Sequence, residues 1–117
     1  MTKRTLTIRL QQDWKARLRA AGRKATAKTY QGEELTFATP GQFFGHLTER
    51  RWNLIRAMQG QGVVSIREIA RRVERDVKRV HEDVTALIDL GLLERADRGV
   101  ICPFARIHVN FELAAAA

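Results

Sequence analysis

Between Leu47 and Leu90 apolar side chains recur at helical spacing in three separate sets, and no feature of this 117-residue chain limits its fold more. Leu47, Trp52, Ile55 and Met58 form the first set; Thr48 suits its N-cap, and Gly60-Gln61-Gly62 ends it. Ser65-Ile66-Arg67-Glu68 has the pattern of a capping box, with a hydroxyl at the cap and a carboxylate three residues on. Ile66, Ile69, Ala70 and Val73 then give a short second helix. A third runs from about Arg75 to Leu90, with Val77, Val80, Val84, Leu87 and Ile88 as its inward face and Gly91 just beyond its end. Leu92 to Arg95 next read as a strand. Ala96-Asp97-Arg98-Gly99 reads as a turn in which Gly can take positive φ, and Val100 to Phe104 as the partner strand. Pro103 suits an edge or the end of that strand, and Ile107, Val109 and Phe111 alternate as one last strand.

The order helix, short helix, longer helix, β-hairpin predicts a winged helix-turn-helix, three helices with the hairpin as wing. Ahead of it, Thr5 to Leu10 alternates strictly, with Leu6, Ile8 and Leu10 on one face of a half-buried strand. Asp13 can cap a helix running to about Ala27, whose apolar positions are Trp14, Leu18, Ala21 and Ala25. Leu35 and Phe37 mark a short second strand, and Ala38-Thr39-Pro40-Gly41 reads as a break. The expected fold class is therefore α+β: an N-terminal β-α-β extension over residues 1–40, too small to fold alone, a winged helix-turn-helix over 41–113, and a tail over 114–117. The terminal strand can pair with its copy across a two-fold axis, or with a partner's sheet.

Charge narrows the function. The formal net charge is +8, from 21 Lys and Arg against 13 Asp and Glu, which favours a polyanionic partner. Residues 1–47 carry nine basic against three acidic residues, a balance of +6, whereas residues 48–99 carry eleven against nine. No apolar run reaches the ~20 residues of a membrane span. The first ten residues have no secretory h-region, and the lone Cys102 cannot form an internal disulfide, so a reducing cytoplasm is expected. Catalysis finds no support. His46, His81 and His108 are scattered, none has metal-ligand spacing with Cys102, and there is no Gly-rich phosphate loop or nucleophile elbow. No enzyme activity, cofactor or metal is expected.

On a wheel of ~100° per residue, the third helix opposes its apolar face with Arg75, Lys78, Arg79 and Glu82, followed by the small Thr85 and Ala86. A charged outer face is also what any solvated helix shows; the surrounding topology is what favours a role in the DNA major groove. There Arg75 or Arg79 can bond guanine O6 and N7, Lys78 a base or a phosphate, and Glu82 cytosine N4. Ser65, Arg67 and Arg71 on the second helix can take a phosphate at its N-terminus, Arg72 serves solubility, and Arg98 at the hairpin tip can reach a phosphate or the minor groove. Lys15, Arg17, Arg19, Arg23, Lys24 and Lys28 cover most of the N-terminal helix; they fit extra contact with the DNA backbone or a docking surface for an acidic protein, and the alanine-rich apolar face is too weak for a membrane surface.

Phe43-Phe44, Leu47 to Ala57, Ser65 to Val73, Arg75 to Val84 and Leu87 to Leu93 together resemble a family of small prokaryotic winged-helix regulators described as MarR-like DNA-binding proteins, over residues 37–111 and more loosely before them. Members are often encoded beside a small toxin and act as its antitoxin. The resemblance implies a dimeric repressor that binds double-stranded DNA, autorepressing and paired with a cognate toxin. Glu74 departs from the pattern, since Gly or another small residue is expected at that turn. The alternatives are a stand-alone repressor, a winged-helix protein–protein interaction module, or an RNA-binding protein using the N-terminal basic helix.

Overall fold

The computed structural model describes residues 4–10, 32–112 and 115. Within them the chain is mixed α+β, with β1 (Arg4–Leu10), β2 (Glu33–Phe37), α1 (Pro40–His46), α2 (Glu49–Met58), α3 (Ile66–Val73), α4 (Val77–Leu90), β3 (Glu94–Ala96), β4 (Gly99–Ile101) and β5 (Phe104–Asn110). The segment expected to form the basic helix, with Lys15, Arg17, Arg19, Arg23 and Lys24, lies outside the described residues.

β1 is the middle strand of a three-stranded sheet of order β2-β1-β5, parallel to both neighbours. Leu6 stands opposite Glu33 and Ile107, and Ile8 opposite Leu35 and Val109. Both of its edges are thus occupied, so the expectation that this terminal strand is open to a second copy or a partner's sheet is corrected. The expected boundary near residue 40 also runs through one core: Leu6, Ile8 and Phe37 belong to the same buried cluster as Phe43, Leu54, Ile69, Val84, Leu92 and Phe104. The alternation of Thr5 to Leu10 produces this directly, burying Leu6 and Ile8 while the residues between them stay half-exposed.

The supposed break at residues 38–41 is instead a helix start. Thr39 Oγ1 accepts from Gln42 N at 3.1 Å, and Pro40 takes the first helical position, where its missing N–H costs nothing. The short helix α1 seats Phe43 edge-on to Phe37 at 5.7 Å and to Phe111 at 4.7 Å. Thr48 caps α2 and Ser65 caps α3, each hydroxyl accepting from the N–H three residues on. Glu68 makes only half of a capping box. Its carboxylate turns forward to Arg71 and Arg72 rather than back to Ser65, because two guanidiniums lie within one turn. α4 begins at Val77 rather than Arg75, since Asp76 is its N-cap and accepts from Arg79 N at 3.2 Å. Val77 is consequently 45% exposed rather than inward-facing.

Both α3 and α4 end in the same way. The residue just past each adopts a left-handed conformation, Glu74 at φ 55° and Gly91 at φ 89°, while Arg75 N bonds Ala70 O and Leu92 N bonds Leu87 O. β3 and β4 pair antiparallel, and Val64 exchanges two backbone hydrogen bonds with Val100, fastening the hairpin to the start of α3. Positive φ in the hairpin turn falls on Arg98, not Gly99. Gly99 serves close approach instead, since a Cβ there would lie 2.6 Å from Val64 O. The partner strand ends at Ile101, and after Cys102-Pro103 the chain re-enters as β5. Among the described residues no helix is long and apolar enough to cross a membrane.

Candidate functional site

The Val64–Val100 pairing brings the hairpin against the N-terminus of α3, and a cleft of about 390 Å³ opens between them, lined by Ser65, Ile66, Arg67, Arg95, Ala96, Arg98, Gly99 and Val100. Its three guanidiniums are all exposed, and none has an ion pair or hydrogen bond with another described residue. No carboxylate lines the cleft. Ser65, Arg67 and Arg98, expected from sequence as separate contacts, therefore meet in one place. Arg95 was not singled out from the sequence. The antiparallel register that sets Arg95 opposite Val100 folds it back beside Arg98, and that register is the only signal that could have found it.

Along α4, Lys78, Arg79, His81 and Glu82 are exposed, and Thr85 and Ala86 are half-buried. Lys78 and Arg79 have no side-chain partner among the described residues. Arg79 and Glu82 also line a second cleft, of about 470 Å³, that separates α4 from the start of α2. Arg50, Arg51, Arg75, Thr48, Glu49 and Asp83 complete its wall.

Arg75 is placed differently from the wheel's expectation. It lies in the turn before α4, and its Nη2 donates to Asp83 Oδ2 at 2.7 Å, while Arg51 Nε donates to Asp83 Oδ1 at 3.1 Å and Arg51 Nη1 to His46 O at 2.7 Å. Asp83 thus joins α2, the α3–α4 turn and α4. Burial pushes its carboxyl up, and the hydrogen bonds from Arg75 and Arg51 more than offset this, holding it below the usual carboxylate range. Arg71 and Arg72 are likewise engaged, both on Glu68, whose carboxyl the two hydrogen bonds hold down at about 2. Arg71 remains largely in solvent. The cations free to meet an outside anion on this side of the molecule thus include Arg67, Lys78, Arg79, Arg95 and Arg98, together with the exposed Arg50 beside Arg79 in the second cleft.

Chemically these are N–H donors that match phosphate and carboxylate oxygens, with Arg suited to bidentate contact. Among the described residues no three of His, Cys, Asp and Glu are grouped so as to hold a metal ion. Cys102 is buried, and burial pushes its thiol up.

Residues 46–109 match the family model HVO_A0114. The chain belongs to the HVO_A0114 family. The matched segment holds α2, α3, α4 and the hairpin, and with them both clefts, while β1 and β2 lie ahead of it. No curated protein and no solved structure matches this HVO_A0114 chain.

Proposed function

We propose that residues 47–104 act as a winged helix-turn-helix that binds double-stranded DNA and regulates transcription, with α4 as the recognition helix and the β3–β4 hairpin as the wing. One observation carries the reading: the cleft between α3 and the hairpin gathers three unpaired guanidiniums at a helix N-terminus and no carboxylate. Such a surface is built for a polyanion rather than for another protein's apolar face. A phosphate in that cleft would take donors from Arg67, Arg95 and Arg98, with the start of α3 adding its dipole. Lys78, Arg79 and Glu82 on the outer face of α4 would then lie toward base edges, where Arg reads guanine and Glu accepts from cytosine. Arg75 leaves the set of base readers, because its guanidinium is committed to Asp83. The resemblance to MarR-like regulators agrees with this role; a dimer and a toxin partner rest on that resemblance alone.

Fluorescence anisotropy with duplexes of differing sequence, the DNA upstream of the gene among them, over a salt series tests the reading. Binding should weaken steeply as salt rises. Alanine at Arg67, Arg95 or Arg98 should weaken it for all duplexes and lower the slope of log K against log salt by roughly one per cation. Alanine at Lys78 and Arg79 should instead change the ranking of duplexes. Salt-independent binding, or none to any duplex, overturns the proposal; a preference for single-stranded RNA would move the site to another polyanion.

A further inference from the structure

The three-stranded sheet and the hairpin are separate hydrogen-bonded sheets, yet one side chain spans them. Arg4, the first residue of β1, donates from Nε and Nη2 to the two carboxylate oxygens of Glu33 at 2.9 and 2.7 Å. From Nη2 and Nη1 it donates to the two oxygens of Glu94 at 3.1 and 3.3 Å. Its guanidinium carbon stands 5.0 Å from the centre of the Phe104 ring. Two bidentate, charge-assisted contacts and a ring leave the guanidinium plane a single orientation.

Glu94 is the first residue of β3 and precedes Arg95. β3 and β4 have three residues each, too few to hold a hairpin rigid by their own ladder. The β4 side is fastened through Val100 to Val64. The β3 side is fastened by Arg4.

We propose that Arg4 is a positioning residue for the wing: by gripping Glu94 it fixes the hairpin, and so Arg95 and Arg98, relative to the central strand of the sheet. The inference rests on the duplex-binding reading of the cleft those arginines line. Without Arg4 the hairpin keeps its pairing to Val64 and pivots about it, and the cleft loses its set spacing.

The test uses the full chain and two readouts. Arg4→Met keeps an apolar stem over Phe104 and removes all four hydrogen bonds. Arg4→Lys keeps the charge but cannot make the double fork. In the free protein both should speed amide hydrogen exchange at Glu94 to Ile101 while leaving the amides of Leu54 and Val84 unchanged. Both should weaken duplex binding by roughly threefold to tenfold, and Glu94→Gln should do the same. In an Arg95→Ala/Arg98→Ala background Arg4→Met should cost nothing further, because Arg4 acts through those residues. Unchanged exchange in the hairpin overturns the inference, as does faster exchange throughout the core, which would mark Arg4 as a general stabiliser. An equal loss of affinity in the double-alanine background also overturns it, since Arg4 would then touch the duplex itself. A parent chain that binds no duplex removes the proposed function, and hydrogen exchange still decides whether Arg4 holds the hairpin.

Discussion

Asp83 accepts from two guanidiniums that approach it from different elements, Arg51 on α2 and Arg75 in the turn before α4, with its side chain only 18% exposed. A pair this shielded is costly to break, because the partners stay behind without their counter-charge. Arg75 Nη1 is already buried without a hydrogen bond, so the cluster has little slack. Asp83→Asn should lower stability by about 1–3 kcal/mol, read as a fall in the urea midpoint at neutral pH. The pH dependence has a definite sign. The folded-state pKa of Asp83 lies below its unfolded value, so its contribution is complete above the unfolded pKa of about 3.9. It is lost as pH falls through the depressed folded value. The gap between wild type and Asp83→Asn should therefore be full at pH 6 and close as the protein is taken below about pH 4. A gap that persists undiminished into acid would show that packing, not charge, sets the cost.

At the scale of elements the hairpin depends on a missing side chain. Gly99 has ordinary negative φ, so its role is space, and a Cβ there meets Val64 O and C at 2.6 and 2.9 Å. Backbone on both sides cannot yield as a flexible side chain would, so Gly99→Ala should cost about 1–3 kcal/mol and part the Val64–Val100 bridge. Thermal unfolding and the exchange rates of the Val64 and Val100 amides check this together; a variant with unchanged melting and exchange would show the space to be larger than it looks. Such local rules also mark where the sequence was legible. Thr48 and Ser65 announce their helices through caps that act within three residues, and the apolar spacing from Leu47 to Leu90 reports three helices because each stripe is set by its own period. α1 escaped notice because Pro40-Gly41 is weighed as a breaker unless Thr39 before it is read as a cap. Glu74 shows the opposite limit: the sequence pattern marks the turn as a place for Gly, and the backbone there is left-handed all the same. What could not be read was pairing across long separations. Arg51 and Arg75 look as free as Lys78 on a helical wheel until Asp83 is brought to them, and Arg4 and Glu94 lie 90 positions apart. Which cations remain to face an outside anion is thus a property of the tertiary fold, though their number is plain in the sequence.

For the whole molecule the decisive fact is that β1 sits between β2 and β5, so the first part of the chain completes a sheet that the last part begins. Two cations of the first third are engaged here, Arg4 by Glu33 and Glu94 and Arg9 by Glu34 at 3.2 Å, and of these partners Glu94 alone lies outside that third. The segment matched by the HVO_A0114 family, residues 46–109, contains α2, α3, α4, the hairpin and both clefts with their unpaired cations, which would make it self-sufficient if the site were all that mattered. Its core says otherwise. A fragment of residues 41–113 lacks Leu6, Ile8 and Phe37, which are 3%, 0% and 5% exposed in the full chain. Each fully buried apolar side chain contributes about 1.5–3 kcal/mol, so the three together approach the total of about 5–15 kcal/mol that a whole domain has to spare. The loss also strips β5 of its strand partner β1, leaving Phe104 and Ile107 without the β1 residues they face. The fragment should therefore melt without a cooperative transition and give poorly dispersed amide resonances, and its affinity for a duplex should fall although no cation of the cleft is missing. Ile8→Ala in the full chain is the milder form of the same experiment and should cost about 2–5 kcal/mol. A fragment that unfolds cooperatively and binds as the full chain does would mean that β1 and β2 are an addition to the domain; the burial of Ile8 at its centre argues that they are part of it.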